Sequence, residues 1–264
     1  MALYIGNQKV APTIVTTPLG IPLELNAQGK LSRLTSSFSW KSEGSDIANY
    51  GLYYAFYGCT GLTSVDLSSL TTISSTAAMA NAFYDCTGLT SVDLSNLTTI
   101  SDNTALYYAF NGCTGLTSVD LSNLTTISGY SALSYTFYGC TELTSVDLSG
   151  LTTANESQVM MYIFGGCTGL TNVDLSSLTT ISGNNAMQNA FNGCKKLTTL
   201  SFPALTSTSF GSYTNQFNNM LKSVTGCTVH FPSNLQSVIG SWSSVTSGFG
   251  GTNTTVLFDL PTTT

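Results

Sequence analysis

Charge is scarce in this chain. Only 8% of its 264 residues are Asp, Glu, Lys or Arg, against about 25% in an ordinary soluble domain. The surface must therefore be built mostly from Ser, Thr, Asn and Gly. Lys and Arg number 7 against 13 Asp and Glu. That balance leaves no basic patch for phosphates, so nucleic acid is not an expected partner. There is one histidine, His230, in the segment Val229-His230-Phe231-Pro232. A single histidine in an edge-like segment supports neither a Ser-His-Asp nor a Cys-His arrangement, and no enzymatic activity is expected. The CxxC spacing of a zinc site is absent, and no cofactor is expected. No apolar run is long enough to span a bilayer. The opening residues, Met1 to Lys9, lack the apolar core of a signal peptide. Either the chain is not exported by that route, or a leader is missing from this sequence.

What the chain has in abundance is repetition. Phe56-Tyr57-Gly58-Cys59-Thr60-Gly61-Leu62-Thr63-Ser64-Val65-Asp66-Leu67 returns nearly word for word every 27 residues. Cys59, Cys86, Cys113, Cys140, Cys167 and Cys194 keep that period without a break, and so do Phe56, Phe83, Phe110, Phe137, Phe164 and Phe191. A fixed period of this length is the signature of a solenoid, in which each unit buries its apolar side only against its neighbours.

Within each unit, Ser-Val-Asp-Leu alternates polar and apolar residues, as a half-buried strand does. Stepping back 27 residues from Val65 gives Phe38, so a degenerate first repeat starts near Gly29. Stepping forward places Cys227 in the Val65 column. Eight such strands would stack into one parallel sheet of about 35–40 Å, at about 4.8 Å per strand. Leu52, Met79, Leu106, Leu133, Met160 and Met187 each stand four residues before the column Phe. That spacing, with Ala78, Ala80 and Ala82, predicts one short helical or 3₁₀ segment per repeat. The six spaced cysteines lie in an apolar setting, which predicts buried free thiols rather than disulfides.

Residues 1–28 do not match the repeat and, with Pro12, Pro18 and Pro22, read as an N-terminal cap. Residues 29–230 are the array, and 231–264 a C-terminal cap in which the register fades.

Leu62-x-x-Val65-x-Leu67-x-x-Leu70 fits the leucine-rich repeat pattern. With Ala82-Phe83-x-x-Cys86-x-x-Leu89, the chain resembles the BspA-like leucine-rich repeats over residues 30 to 230. The resemblance implies an α/β repeat solenoid: a right-handed superhelix with a parallel concave sheet and short helical or 3₁₀ turns on the convex side. It also implies a bacterial or protozoan surface protein that binds a host or cell-surface protein or glycan. Two features depart from the family. Its strands often read Ile-x-Ile-Pro where this chain has Val-Asp-Leu-Ser, and the export signal is missing.

Candidate contact residues follow from the columns. Asp66, Asp93, Asp120, Asp147 and Asp174 point out of the sheet, flanked by Ser64, Ser91, Ser118 and Ser145. Neighbouring carboxylates about 5 Å apart repel by about 3 kcal/mol at an effective dielectric of 20. Hydrogen bonds from the serines, a shared proton or a cation at Asp93, Asp120 and Asp147 would offset this. Tyrosines cluster around the column Phe, among them Tyr84, Tyr108 and Tyr138, and tyrosine is enriched in recognition surfaces. The expected function is non-enzymatic recognition or adhesion through a repeated surface. One alternative is a structural or receptor-contacting part of a phage or prophage particle, because Leu3 to Val10 resembles the start of some such proteins. Another is a cation-binding scaffold using the Asp column.

Overall fold

The computed structural model describes residues 51–206, 209–210, 215–239 and 249–262, and before them the backbone of five strands. Two of those strands, Leu3–Ile5 and Gln8–Val10, form an antiparallel pair. Thr13–Thr16 and Pro22–Leu25 form another. The fifth, Ser37–Ser39, lies parallel to Ser64–Asp66 with Phe38 opposite Val65, the register expected from the period.

From there the chain winds as a parallel-strand solenoid of about seven turns. Each turn has three walls. The first carries Ser64–Asp66, Ser91–Asp93, Ser118–Asp120, Ser145–Asp147 and Asn172–Asp174. These join Ser37–Ser39 in a six-stranded parallel sheet. In every one of the five the Val is buried, and the residues on either side of it face out. The second wall is a five-stranded parallel sheet of two-residue strands, from Thr72–Ile73 to Thr180–Ile181. Its inward residue is Ile, or Ala154 in one turn. The sequence marked these positions as an apolar column without assigning strand to them.

The third wall corrects the helical expectation. Residues 77–85 and their equivalents form a ribbon of tight turns. Met79, Asn81, Phe83 and Asp85 donate their N–H to carbonyls of the next coil at 2.7–2.9 Å. The alternate residues Ala80, Ala82, Tyr84 and Cys86 donate three residues back within their own coil. A helix would send every N–H back along its own segment. Every fourth ribbon residue is left-handed: Ala77, Asn81 and Asp85 have φ of 50°, 56° and 55°. The ribbon therefore also repeats every four residues, which puts Met79 and Phe83 on one side just as a helix would. The distinguishing sign is the residue before each column Cys. Gly58, Gly112, Gly139, Gly166 and Gly193 have φ between 70° and 76°, a region that only Gly enters without strain. Among the described residues, helix is confined to Ser233–Leu235 (3₁₀) and Gln236–Ile239 (α).

The core is a set of columns parallel to the solenoid axis. Leu, Val, Ile, Met, Phe and Cys from every coil are buried to 7% exposure or less. The Phe rings stack nearly parallel from Phe56 to Phe191, with centroids 5.0–5.9 Å apart. Each thiol from Cys86 to Cys194 donates to the carbonyl of the Phe 30 residues earlier, at 3.0–3.2 Å. The cysteines are free, as expected. Burial pushes the Cys113 and Cys167 thiols up to about 12. Native protein should thus leave the column thiols unreactive to a disulfide reagent near pH 8, and denaturant should release all of them. A column thiol reacting rapidly in the native state would contradict this packing.

Two further expectations are corrected near the C-terminal end. The first-wall strands do not form one continuous sheet. Thr199–Ser201 instead heads a three-stranded parallel sheet with Thr228–Pro232 and Thr255–Leu260. Val229, not Cys227, pairs with Leu200 and fills the Val65 column, because this coil spans 29 residues. Val224 takes the Cys position there, donating its N–H to Leu221 as Cys194 does to Phe191. The register does not fade after 230, since Thr228 pairs with Thr255 at the original period.

Candidate functional site

The Asp column is built by the strand and closed by the turn after it. The parallel register sets Asp66, Asp93, Asp120, Asp147 and Asp174 side by side, one per strand. Each Oδ1 accepts the backbone N–H of the Ser two residues on, at 2.9–3.0 Å. Ser68 and Ser95 add their hydroxyls at 2.6 Å. This Asp-x-Ser arrangement is an Asx turn that ends the strand. The aspartates therefore have a local structural task that repeats with the coil. The hydrogen bonds also help to offset the mutual repulsion of the row.

Ser64, Ser91, Ser118 and Ser145 face outward beside the Asp row. Together the two columns line two shallow depressions. One, of about 360 Å³, includes Ser118, Asp120, Ser145, Asp147 and Asp174. The other, of about 430 Å³, includes Ser64, Asp66, Ser91, Asp93 and Asp120. No Lys or Arg lines either one. Among the described residues no three His, Cys, Asp or Glu side chains gather where one metal ion could be held. Asp93, Asp120 and Asp147 stand in file rather than around a point.

The tyrosines form a second feature, on the turn ribbon. Tyr57 stacks on Tyr84 at 4.9 Å, Tyr108 on Tyr135 at 4.5 Å and Tyr135 on Tyr162 at 4.8 Å. Tyr54 joins at one end through Tyr57. Tyr84 and Tyr108 meet at 6.1 Å, and Tyr138 leans on Tyr135 and Tyr162. Sequence reasoning named Tyr84, Tyr108 and Tyr138 but not the continuous strip they belong to. The strip interleaves two columns, and so no single period reveals it. Tyr54, Tyr108, Tyr135 and Tyr162 occupy left-handed positions, at a cost of roughly 1–2 kcal/mol each. Stacking returns about 0.5–1.5 kcal/mol per pair. Burial, then the negative charge of Asp85, raises the Tyr84 phenol. Burial, then neighbouring tyrosines, raises Tyr108 and Tyr135. The strip thus stays uncharged through neutral pH. Tyr54, Tyr57 and Tyr138 remain 39–50% exposed.

The lone histidine acquires a partner. His230 Nδ1 lies 2.9 and 3.0 Å from the two oxygens of Asp259. The register break at Phe231/Pro232 leaves Asp259 without an opposite residue and swings it to the His230 side. Ser201 is the strand neighbour of His230, yet no hydrogen bond joins them. The group is a half-exposed ion pair rather than a triad.

The match to known proteins is at the level of the repeat. The BspA type leucine-rich repeat region matches in six copies over residues 37–133 and 131–242. No curated protein sequence matches the chain. Among solved structures, a leucine-rich repeat protein of T. pallidum is 22% identical, with 66% of this chain and 86% of that one covered and a TM-score of 0.37. An internalin C2 of Listeria monocytogenes is 15% identical over 84% of this chain and 80% of its own, with a TM-score of 0.34. A leucine-rich repeat protein of Eubacterium ventriosum is 17% identical over 64% and 62%, with a TM-score of 0.28. The assignment rests on the repeat, which spans most of the chain: the protein belongs to the BspA-type leucine-rich repeat family.

Proposed function

We propose that the chain is a non-enzymatic recognition module of a surface or secreted protein, and that it binds a protein partner through the tyrosine strip. Leucine-rich repeat proteins act as protein-binding scaffolds. No helix among the described residues is long and apolar enough to cross a membrane. The reading takes residues 29–230 as the array, 1–28 and 231–264 as its caps, the coil as right-handed and the Asp sheet as its concave side. One observation carries it: a continuous file of tyrosines stays exposed while the Phe column beneath is fully buried. The stacked rings spend their faces on one another and present edges and hydroxyls. Sugar platforms need an open ring face, so the strip suits a protein better than a glycan. Tyrosine also offers large contact area at low entropic cost.

In this reading the Asp and Ser columns are mainly structural and set the sign of the field around the site. The test is an array of extracellular-matrix proteins and glycans, probed with calcium and with chelator. Protein binding that is indifferent to chelator is expected. Glycan-only binding, or binding abolished by chelator, would overturn the reading in favour of the Asp columns.

A further inference from the structure

A cleft of about 340 Å³ opens beside the strip, across three consecutive coils. Tyr107, Tyr130 and Tyr135 wall it, and Met161 adds apolar surface. No charged residue lines it. Tyr107 stands perpendicular to Tyr108 and Tyr135, at 89° and 83°. It is therefore turned away from the stack, whose rings cover each other. The hydroxyl protons here are committed inward. Tyr130 donates to Gln158 Oε1 at 2.8 Å and Ser131 to the same oxygen at 3.4 Å. Ser134 donates to the Gln158 carbonyl, and Thr104 to the Asn103 carbonyl at 2.7 Å. The side-chain donor left facing the cleft is the Gln158 Nε2 amide.

From this geometry we infer that the cleft docks an extended proline-rich segment of a partner protein. The inference rests on the protein-recognition reading above and specifies its partner chemistry. A proline residue brings a carbonyl acceptor for Gln158 and a rigid apolar ring for Tyr107 and Tyr130, with no N–H to leave unsatisfied. Aromatic-walled grooves suit such segments because the polyproline helix is already ordered before binding. Three residues of that helix advance about 9.3 Å, close to the ~9.6 Å of two coils. One ligand turn can thus meet equivalent positions two coils apart. A glycan would bring many hydroxyls to a cleft with one free donor amide and no carboxylate to receive them.

The test is calorimetric titration of the full chain with a proline decamer, a Gly-Ser decamer and cellohexaose. The proline decamer should bind and the others should not. Gln158→Glu keeps the acceptor for Tyr130 but removes the donor, and should weaken binding by about tenfold or more. Tyr107→Ala should do the same, while Thr179→Ala, on the far wall, should leave binding unchanged. Circular dichroism of each variant checks the fold. No binding of the proline decamer, or equal binding by folded Gln158→Glu, overturns the inference. Preference for cellohexaose overturns it and assigns the cleft to a glycan. If the decamer fails while matrix proteins still bind the intact chain, recognition stands and only this partner chemistry falls.

Discussion

Raising the pH above 9 should unfold this protein steeply, where an ordinary repeat array would soften gradually. The cause is the thiol column. Burial holds Cys113 and Cys167 near 12, and holds Cys140 and Cys194 well above their ordinary value of 9.0. The hydrogen bond with Cys59, then burial, raises Cys86 as well. A raised thiol pKa means that folding favours the protonated form. Below pH 9 both states carry the proton and the contribution is intact. Above pH 9 the unfolded chain releases protons that the folded one keeps, so stability falls as pH rises toward 12. Each thiol contributes a slope of about 1.4 kcal/mol per pH unit. Four or five together give roughly 5–7 kcal/mol per unit, comparable to the whole stability of a typical domain. The raised phenols of Tyr84, Tyr108 and Tyr135 act in the same direction above pH 10. Thermal melting followed by circular dichroism from pH 6 to 11 should show a flat Tm that collapses beyond pH 9. Cys140→Ala should lower stability at pH 7, yet make the alkaline fall shallower. A Tm that holds to pH 11 would show that the thiols are not packed as described.

The second large effect is in the Phe column. Phe137 sits mid-array, fully buried, with Phe110 at 5.6 Å and Phe164 at 5.9 Å. Phe137→Ala opens a cavity that the flanking coils cannot fill, because their backbones are tied by cross-coil hydrogen bonds. A loss of about 3–5 kcal/mol is expected. Phe137→Leu should cost much less, since Leu221 stands at the equivalent position one coil beyond Phe191. Urea denaturation of both variants measures this. Equal, small losses for the two would mean that the column is loosely packed. Because each coil leans only on its neighbours, the Phe137→Ala array should also open first at its centre, visible as faster amide exchange around residues 130–145.

The period alone exposed the first wall, down to the pairing of Phe38 with Val65, because a period-two strand locked to a 27-residue repeat leaves one register. The Asp-x-Ser contact was equally readable, as a polar pair two residues apart at the end of a strand. The turn ribbon was not. Leu52 and Phe56 stand four apart in either a helix or a ribbon, and Ala78, Ala80 and Ala82 argued for the wrong one. The 29-residue coil was hidden because its added length falls in the irregular stretch after Phe202, where no column residue marks the shift. The Ser201, His230 and Asp259 neighbourhood depended on that same shift and on a bulge, both invisible to spacing. The Gln158 cleft was hidden for another reason: its polar atoms are sorted by which protons are already committed, a property of three dimensions.

Loss of the Asp side chains tests their structural role separately. Asp120→Asn keeps an acceptor for the Ser122 N–H and should leave stability within about 0.5 kcal/mol. Asp120→Ala removes the acceptor and should cost about 1 kcal/mol. The most direct measurement for the account as a whole sets the two outward surfaces against each other. One variant carries Tyr54→Ser, Tyr57→Ser and Tyr138→Ser; the other carries Asp93→Asn, Asp120→Asn and Asp147→Asn. Both are compared with the unaltered chain by surface plasmon resonance against the matrix proteins that it captures. The account predicts that binding is lost in the tyrosine variant and kept in the aspartate variant. Binding kept by the tyrosine variant and lost by the aspartate variant would contradict it.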